Sequence, residues 1–369
     1  MPEVLISFAF YLVLCSWQCT KLLHFVDLNI YRHPANPVVR PGIYHWRRVV
    51  TFNPGVIREN GTVYLFERAA GNLRPFICYI GMLSSRDGVT FRNVYDSPVF
   101  TPEMAGSSYG SVQDPRVVKL DNSYYMTYAF RPYAWSSHPT GYGVPESFQT
   151  DFPGFDGDPV KNMTRSGIAR SDDLHHWKHY RWATPEGIDD RDVILFPERI
   201  NGRYAMLRRP LLPEGTGNKT DRPGIRISFS EDMEHWTDPV LVAKPEFDWE
   251  SNRIGGSIPP VRTDEGWLVI YHGVEKTDEK LNTVIYRVGA MILDINDPSK
   301  VIKRCTRFIM EPETYYEKYG LYIPNVIFPT GAYKEGDKLY IYYGVCDTAI
   351  ALAIVDIDEL LLFIDKYSV

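Results

Sequence analysis

The chain has 369 residues, of which 44% are hydrophobic and 23% charged, proportions typical of a soluble globular protein with a large core. Its 40 basic and 46 acidic residues give a formal net charge of −6, which excludes the basic surface expected of a nucleic-acid-binding protein. Aromatic residues make up 14%, which favours β-strands and supplies surfaces on which sugars can stack.

The first part of the chain contains an apolar run, residues 4–15, that is too short to span a membrane comfortably. It resembles the core of a secretory signal, although Glu3 stands where such signals carry a positive charge and no clean cleavage site follows. We therefore interpret residues 1–20 as a possible signal or N-terminal apolar segment and residues 21–369 as a single domain. We expect a secreted or periplasmic protein without a stable membrane span, and a cytoplasmic one if the run is not a signal.

The cysteines do not have the spacing of a zinc site and do not predict a disulfide framework. Buried free thiols are the favoured interpretation, and no metal site is expected elsewhere in the chain. The five cysteines are Cys15, Cys19, Cys78, Cys305 and Cys346.

A proline followed by an apolar run recurs five times and indicates an internal repeat. Proline fixes its own φ and favours extended geometry in the preceding residue, so we expect each proline to open a strand and Asp114 to be extended. The prolines are Pro54, Pro115, Pro197, Pro259 and Pro329, at separations of 61, 82, 62 and 70 residues.

Each of these runs is followed by a turn signal and an aromatic-rich strand, a pattern that predicts a β-hairpin. The turns are Asn60-Gly61, Asp121-Asn122, Asn201-Gly202, Glu265-Gly266 and Glu335-Gly336. In the first three repeats a Ser-x-Asp-x-x-x-aromatic segment follows, beginning at Ser85, Ser171 and Ser230. We interpret this segment as a turn whose aromatic residue anchors the outer strand, and its histidines as part of that architecture.

Five similar units of several short strands predict an all-β fold, a five-bladed β-propeller with its sheets arranged around a central channel. A sandwich or two separate β domains would not explain five matched repeats. We expect one of two C-terminal segments, residues 351–356 or 359–364, to pair with chain from residues 22–50 and close the ring.

The inner strands of a propeller converge at one mouth of the channel. We expect Asn53 and Asp114 to meet there with the neighbourhoods of Phe196, Ser257 and Phe328. Asp114 is a candidate general acid, because the fold itself does not require polar side chains at such a mouth. An aspartate that caps a turn by accepting bonds from backbone N–H groups is an equally good interpretation.

Several basic residues lie near the ends of the second strands, where they could hold an anion or sugar hydroxyls, or form ion pairs. They are Arg68, Arg131, Arg208, Arg209 and His272, the last preceded by Tyr271. Residues 247–257 contain two acids, Asp248 and Glu250, and Arg253, all of which could face the same pocket.

A set of sequence runs occurs in a fixed order between residues 50 and 350. They are Asn53-Pro54, Asp114-Pro115-Arg116-Val117, residues 195–202 (LFPERING), residues 253–256 (RIGG), residues 266–273 (GWLVIYHG) and residues 343–348 (YGVCDT). Together these runs resemble glycoside hydrolase family 130, the β-mannoside phosphorylases and β-1,2-mannosidases.

The resemblance implies an inverting propeller enzyme that acts on a terminal β-linked mannose of a manno-oligosaccharide or mannose-containing glycan. It makes Asp114 the proton donor, acting through a mannose hydroxyl, and Asn53, Arg68 and Asp347 the residues that hold the terminal mannose. No cofactor is implied, apart from inorganic phosphate as the co-substrate of a phosphorylase. A homo-oligomer is left open.

In phosphorylases of this family a basic cluster grips phosphate. The residues that look like it here are Arg208 or Arg209, Arg253 and His272, and the substrate-binding candidates are completed by Tyr109, Arg131 and Tyr271.

Hydrolysis and phosphorolysis differ in the group that attacks the sugar. An inverting hydrolase needs a second carboxylate about 6.5–9.5 Å from the acid, for which Glu198, Glu250 and then Glu146 are candidates. A phosphorylase instead needs basic residues around phosphate, and its charged product is useful only inside a cell. Because the N-terminal run favours export, the main prediction is a hydrolase that releases terminal β-linked mannose. The alternative is a phosphorylase that produces α-mannose 1-phosphate.

Two other classes of function have less support in the sequence. A non-catalytic sugar-binding propeller would not need Asp114, and an arabinanase-like hydrolase would need three acids on separate inner strands. Residues 133–165 form a segment that is long beside compact phosphorylases, and a loop of this length is often functional. Its acids, any of which could approach the pocket, are Glu146, Asp151, Asp156 and Asp158.

Overall fold

The computed structural model describes residues 28–134, 152–211, 222–278, 280–281 and 283–369, which form twenty-one β-strands in five sheets. The first nine strands are β1 (Tyr31–Arg32), β2 (Val50–Glu59), β3 (Thr62–Ala70), β4 (Cys78–Ser85), β5 (Arg92–Asn93), β6 (Ser111–Leu120), β7 (Ser123–Arg131), β8 (Arg165–Ser171) and β9 (Lys178–Trp182). The next nine are β10 (Asp190–Leu195), β11 (Tyr204–Pro210), β12 (Ile225–Ser230), β13 (Val240–Ala243), β14 (Arg253–Gly256), β15 (Val261–Thr263), β16 (Gly266–Asp278), β17 (Thr283–Leu293) and β18 (Val301–Arg304). The last three are β19 (Ile327–Glu335), β20 (Lys338–Val345) and β21 (Ala349–Asp356).

Helical structure in the described part of the chain is short. The α-helices are α1 (Tyr315–Lys318) and α2 (Ile357–Tyr367), and the 3-10 helices are His45–Arg47, Glu103–Ala105, Pro159–Asn162 and Asp248–Glu250. None of these helices is long and apolar enough to cross a membrane.

The five sheets are the blades of a propeller, as predicted. Blade 1 contains β2–β5, blade 2 β6–β9, blade 3 β10–β13, blade 4 β14–β18, and blade 5 β19–β21 with β1. Within each blade neighbouring strands are antiparallel, and clusters of buried apolar residues lie between successive blades. The first strand of each blade is innermost, so polar groups at its mouth end meet those of the other blades.

The ring closes between the two ends of the described chain. Tyr31 and Arg32 of β1 pair with Ile354 and Ala353 of β21, which confirms the predicted closure by residues 351–356. The alternative segment, residues 359–364, is instead part of α2. Its apolar residues recur at the helical spacing, and Asp356 caps the helix by accepting bonds from the backbone of residues 358 and 359.

Four of the five predicted turns join the first and second strands of a blade, and the fifth, Glu265-Gly266, joins β15 and β16 of blade 4. Asn60 and Gly61 have φ values of 48° and 74°, left-handed geometry that suits a two-residue hairpin turn. The Ser-x-Asp segments are the predicted outer turns. In the first, Ser85 donates a hydrogen bond to Asp87 over 2.7 Å, and Asp87 accepts from the backbone N–H groups of Val89 and Thr90.

The prolines do not open the inner strands, and this expectation was wrong. Pro54 and Pro115 lie inside β2 and β6, among the residues that the β-bulges leave unpaired, and Pro329 lies inside β19, paired with Tyr343 directly before the bulge of that strand. A bulge leaves one residue unpaired, so a residue without an N–H costs no ladder bond there. Pro197 follows β10, and Pro259 lies between β14 and β15.

The described cysteines are free and buried, as predicted: Cys78, Cys305 and Cys346. Cys15 and Cys19, together with the apolar run of residues 4–15, lie outside the described residues.

Candidate active site

A cleft of about 770 Å³ opens at the mouth of the channel. All five blades contribute to its wall, which is lined by Asn53, Arg68, Gln113, Asp114, Arg131, Arg191, Asp192, Arg209, Arg253, His272, Tyr286, Tyr322, Ile323, Val326, Phe328 and Asp347. Its wall combines five arginines with three carboxylates and several aromatic rings.

Asp114 lies on the bulge of β6 and has a φ of 51°, so it is left-handed rather than extended as expected from Pro115. Asn53 occupies the same position on the bulge of β2, with a φ of 45°. Asp and Asn tolerate this conformation better than most residues. The bulge turns each side chain towards the channel, where a regular strand would have continued its alternation.

Asp114 is held at one oxygen. Asn53 Nδ2 donates to Asp114 Oδ1 over 2.8 Å, and Arg68 Nη1 donates to the same oxygen over 2.9 Å. Among the described residues, none donates to Oδ2, and the side chain is 15% exposed. This carboxylate is therefore oriented through one oxygen and presents the other to a ligand, which is the arrangement a proton donor requires.

Asp347 completes this side of the cleft, on the turn between β20 and β21. Burial raises the pKa of Asp347 to about 7; Arg68 opposes that change and Asp114 adds to it. Gly344, three residues earlier, has to be glycine, because an added Cβ would lie 2.0 Å from Asn53 Oδ1. The YGVCDT run thus lets blade 5 approach the Asn53–Asp114 pair closely.

Blades 3 and 4 contribute a basic wall to the same cleft, made of Arg191, Arg209, Arg253 and His272. Arg191 donates two bonds of 2.8 Å to Asp189, and Arg253 donates to Tyr286 Oη over 2.5 Å and to the side chain of Asn252. Burial lowers the pKa of His272 to about 3, so its imidazole is neutral. The wall offers guanidinium N–H groups that suit an oxyanion such as phosphate.

Arg131, at the end of β7, also lines the cleft. It donates to Thr164 Oγ1 over 2.9 Å and to the carbonyl of Asn162 over 3.3 Å. Burial lowers the pKa of Arg131 to about 9, and the positive charge of Arg191 adds to this shift.

Glu250 and Tyr271 were expected to face the pocket, but both are buried between blades 3 and 4, away from the cleft. Arg304 donates to Glu250 over 2.7 Å, and Tyr271 Oη donates to it over 2.8 Å. Glu250 also accepts bonds from the backbone of residues 246 and 247, so its acceptors are used within the fold.

Three further candidates do not line the cleft. Glu198 lies on the outside, 46% exposed, in an ion pair of 2.5 Å with Arg262. Arg208 is buried and paired with Asp190, because its position on β11 points away from the channel, opposite to that of Arg209. Tyr109 is 40% exposed.

The neighbourhoods expected at the mouth are only partly there. Phe328 lines the cleft, and Ser257 lies next to it with its hydroxyl 3.4 Å from His272 Nδ1. Phe196 is buried against Trp267 in the core between blades 3 and 4.

The acids of the long segment give no second cleft carboxylate among the described residues. Asp156 pairs with Lys161, and Asp158 caps the 3-10 helix Pro159–Asn162. Glu146 and Asp151 lie outside the described residues.

Arg191 and Asp192 are cleft residues that the sequence interpretation missed. Asp192 has a φ of 54° and occupies in blade 3 the bulge position of Asn53 and Asp114. In blade 3 the proline of the repeat pattern, Pro197, lies beyond the bulge, and Val193 is the residue that corresponds in the structure to Pro54 and Pro115. The signal available was the polar run Asp189–Asp192 directly before an apolar strand.

Within the described residues, no group of three or more His, Cys, Asp or Glu side chains could hold a metal ion.

The family model described as β-1,4-mannooligosaccharide phosphorylase matches residues 30–141 and 158–366 of the chain. A 1,2-β-oligomannan phosphorylase from Thermoanaerobacter sp. is 35% identical over 340 residues, covering 90% of this chain and 99% of the relative. A β-1,4-mannooligosaccharide phosphorylase from Ruminococcus albus is 30% identical over 350 residues, covering 92% of each chain.

The fold also matches a solved structure. The β-1,2-mannobiose phosphorylase from Listeria innocua, in complex with β-1,2-mannobiose, superposes with a TM-score of 0.69 at 26% identity. The match covers 92% of this chain and 100% of that one.

Proposed function

The chain belongs to glycoside hydrolase family 130 and is an enzyme of β-mannoside metabolism, and on that basis we propose that it is a β-mannoside phosphorylase. The reaction transfers a terminal β-linked mannosyl unit from a manno-oligosaccharide to inorganic phosphate. The hydrolase, which was the main prediction from the sequence, is less well supported than this alternative, because the relatives at 30–35% identity are phosphorylases.

The observation that carries the proposal is the basic wall facing Asp114. Neither Glu198 nor Glu250, the first candidates for a hydrolytic base, lines the cleft. Of the carboxylates that do, Asp192 lies against Arg209 and Arg116, whose positive charges hold its pKa well below the usual range despite burial. Such a carboxylate is a weak base for activating water, whereas phosphate brings its own negative charge and needs arginines.

The residues then have distinct tasks. A phosphate oxygen attacks C1 of the terminal mannose from the side of the basic wall, and the glycosidic C1–O bond breaks. The Asp114 proton passes to the leaving oxygen, through a mannose hydroxyl. One displacement inverts the configuration, so the products are α-mannose 1-phosphate and a sugar shortened by one unit. Asn53, Arg68 and Asp347 hold the mannose.

The relatives also support a preference for the β-1,2 linkage. Two Thermoanaerobacter relatives at 35% identity are a 1,2-β-oligomannan and a β-1,2-mannobiose phosphorylase, whereas the Ruminococcus relative that acts on β-1,4 linkages is 30% identical. We therefore propose β-1,2-manno-oligosaccharides as the first substrates to test.

Phosphorolysis keeps the energy of the glycosidic bond in a charged product that only a cell interior retains. We accordingly propose a cytoplasmic location in place of the export expected from residues 1–20. N-terminal sequencing of protein purified from its own cells tests this proposal, because loss of the apolar run would indicate processing during export.

The decisive experiment incubates the enzyme with β-1,2-mannobiose or β-1,4-mannobiose, with and without inorganic phosphate. We expect α-mannose 1-phosphate to form only when phosphate is present, and faster from the β-1,2-linked sugar. Release of free mannose as the only mannosyl product, at the same rate with or without phosphate, would show that the enzyme is a hydrolase.

A further inference from the structure

Asp192 is a carboxylate that lines the cleft among the residues of the basic wall. It accepts a hydrogen bond of 2.7 Å from Arg209 Nε and one of 3.4 Å from Arg116 Nη2, and it lies 3.6 Å from His272 Nε2. Its side chain is 5% exposed. A negative charge at this place repels an incoming anion, so its presence needs a reason beyond ligand attraction.

The geometry of Arg209 supplies that reason. Its bond to Asp192 uses Nε, and within the described part of the chain no acceptor meets its two terminal nitrogens, which leaves them for the cleft. A guanidinium held at Nε cannot rotate freely, so less conformational entropy is lost when an anion binds to its outer edge. The His272 ring lies between the same carboxylate, 3.6 Å from its Nε2, and the Ser257 hydroxyl, 3.4 Å from its Nδ1.

We propose that Asp192 is the positioning residue of the phosphate-binding wall: its carboxylate holds Arg209 and His272 in the orientation that receives phosphate. This inference rests on the proposed function for the identity of the anion. Asp192 lines the cleft beside these residues, but its carboxylate is engaged by Arg209 and Arg116, so we assign it to holding the wall rather than to binding phosphate.

Gly255 in the RIGG run gives independent support. A Cβ at this residue would lie 2.3 Å from Asp192 Oδ2 and 2.6 Å from His272 Cε1. Blade 4 therefore approaches the Asp192–His272 contact so closely that only glycine fits, and the spacing between blades 3 and 4 is set around this contact.

The chain offers a matched control two residues away on the same strand. Asp190 is also buried on β10 and pairs with an arginine of β11, Arg208. This pair points away from the channel, and neither residue lines the cleft. Asp190→Asn thus removes a buried carboxylate from an arginine pair in the same blade without touching the basic wall.

The test compares wild type, Asp192→Asn and Asp190→Asn. Asparagine keeps the size of the side chain and tolerates the left-handed backbone of residue 192, so the variant removes the charge alone. We measure the affinity for inorganic phosphate by calorimetry, and the KM for phosphate and for β-1,2-mannobiose separately. For Asp192→Asn we expect a loss in phosphate affinity of about tenfold or more, the size of one charge-assisted hydrogen bond, with the mannobiose KM within about twofold. For Asp190→Asn we expect both constants to stay within about twofold.

A folded Asp192→Asn protein with unchanged phosphate affinity would overturn the inference, as would an equal rise in both KM values. If Asp192→Asn does not fold, Gly255→Ala is the variant that tests the proposal. Its added methyl group would displace the Asp192–His272 contact without changing a charge. Gly255→Ala should weaken phosphate binding and leave the KM for β-1,2-mannobiose nearly unchanged. Unchanged phosphate affinity in Gly255→Ala would contradict the proposal. Phosphate that binds wild type tightly and Asp192→Asn weakly, without any α-mannose 1-phosphate formed, would refute the proposed function but support this inference.

Discussion

At the scale of the single residue, the site depends on three left-handed positions, Asn53, Asp114 and Asp192. Each lies on a β-bulge of an innermost strand, where the extra residue interrupts the alternation of side chains. The bulge directs three polar side chains into one cleft from three blades. The conformation is strained for most residues, and such strain is commonly found at functional sites.

Asp114→Asn should abolish turnover without unfolding the protein. Asparagine tolerates the backbone and keeps the contact with Arg68, but it cannot donate the carboxyl proton, so we expect kcat to fall by about 10²–10⁴-fold. Steady-state kinetics with thermal unfolding check this, and Glu198→Gln, outside the cleft, serves as the control with activity within about twofold. Full activity in Asp114→Asn would remove Asp114 from the role of proton donor.

Asp347→Asn should change how stability depends on pH. The pKa of Asp347 is about 7 in the folded protein against an ordinary 3.8, so the folded state binds the proton more tightly. This contribution to stability is fully present below pH 3.8 and is lost as the pH rises through 7. The Tm of the variant should therefore rise relative to wild type, by about 2 °C or more, between pH 4 and pH 8.

The exposed Asp264, in the turn between β15 and β16, is the control for this measurement. Asp264→Asn should keep a constant Tm difference from wild type over the same range. A constant difference for Asp347→Asn as well would show that its carboxyl does not titrate near neutral pH.

How much of the site the sequence predicts differs from residue to residue. Asn53, Arg68, Asp114 and Asp347 belong to runs with a fixed order, and the structure brings them together at the cleft. Glu198 and Glu250 were equally conspicuous in the sequence but lie away from it, because side-chain direction depends on strand register. Arg208 and Arg209 show this most simply, since adjacent strand residues point to opposite faces.

At the scale of the element, the short strand β1 closes the ring with two paired residues and an ion pair. Arg32 Nε donates to Glu317 of α1 over 2.9 Å, and Glu317 is fully buried and also accepts from Tyr343 Oη. The carbonyl of Glu317 in turn contacts Cys346 Sγ at 3.0 Å, next to Asp347. Ring closure and the cleft wall thus both contact one buried residue, Glu317, through its carboxylate and its backbone carbonyl respectively.

Arg32→Ala should destabilise the whole propeller. It leaves Glu317 buried with its main charge partner removed, which costs about 3 kcal/mol in comparable pairs, and it weakens the closing strand. Urea unfolding measures the loss. Arg58→Ala is the matched control, because the Arg58–Glu335 pair joins blades 1 and 5 but is 35% and 44% exposed, and its loss should cost less than about 1 kcal/mol. Equal effects of the two variants would contradict a special role for Arg32.

The elements themselves were largely predictable. Hairpin turns such as Asn60-Gly61 need left-handed residues, and this requirement is visible in the sequence. The helix of residues 357–367 was less visible, because a short apolar run fits a strand or a buried helix equally well. The capping Asp356 was the signal that distinguishes them.

In the molecule as a whole, all five blades place charged side chains at the mouth of the channel. Five arginines and three carboxylates line it in a chain whose formal net charge is −6. The basic wall is therefore a local concentration of positive charge produced by the ring, and it favours an anionic co-substrate.

Inorganic phosphate alone should stabilise the protein. A ligand that binds only the folded state raises the free energy of unfolding by about 2.7 kcal/mol at 100 times its Kd. We expect the Tm to rise with phosphate concentration, and to rise much less with sodium chloride at the same ionic strength. An equal rise with both salts would indicate general screening rather than a phosphate site.

The five repeats, their hairpin turns and the family can be recognised from the sequence alone, because turn residues and ordered motifs are local features of the chain. Which charged side chains share the cleft depends on how the blades pack, which places Arg191 and Asp192 in it and Glu198, Glu250 and Arg208 outside it. The physical reason is that a one-residue bulge reverses the direction of a strand side chain, and only the packed blades show where each bulge falls.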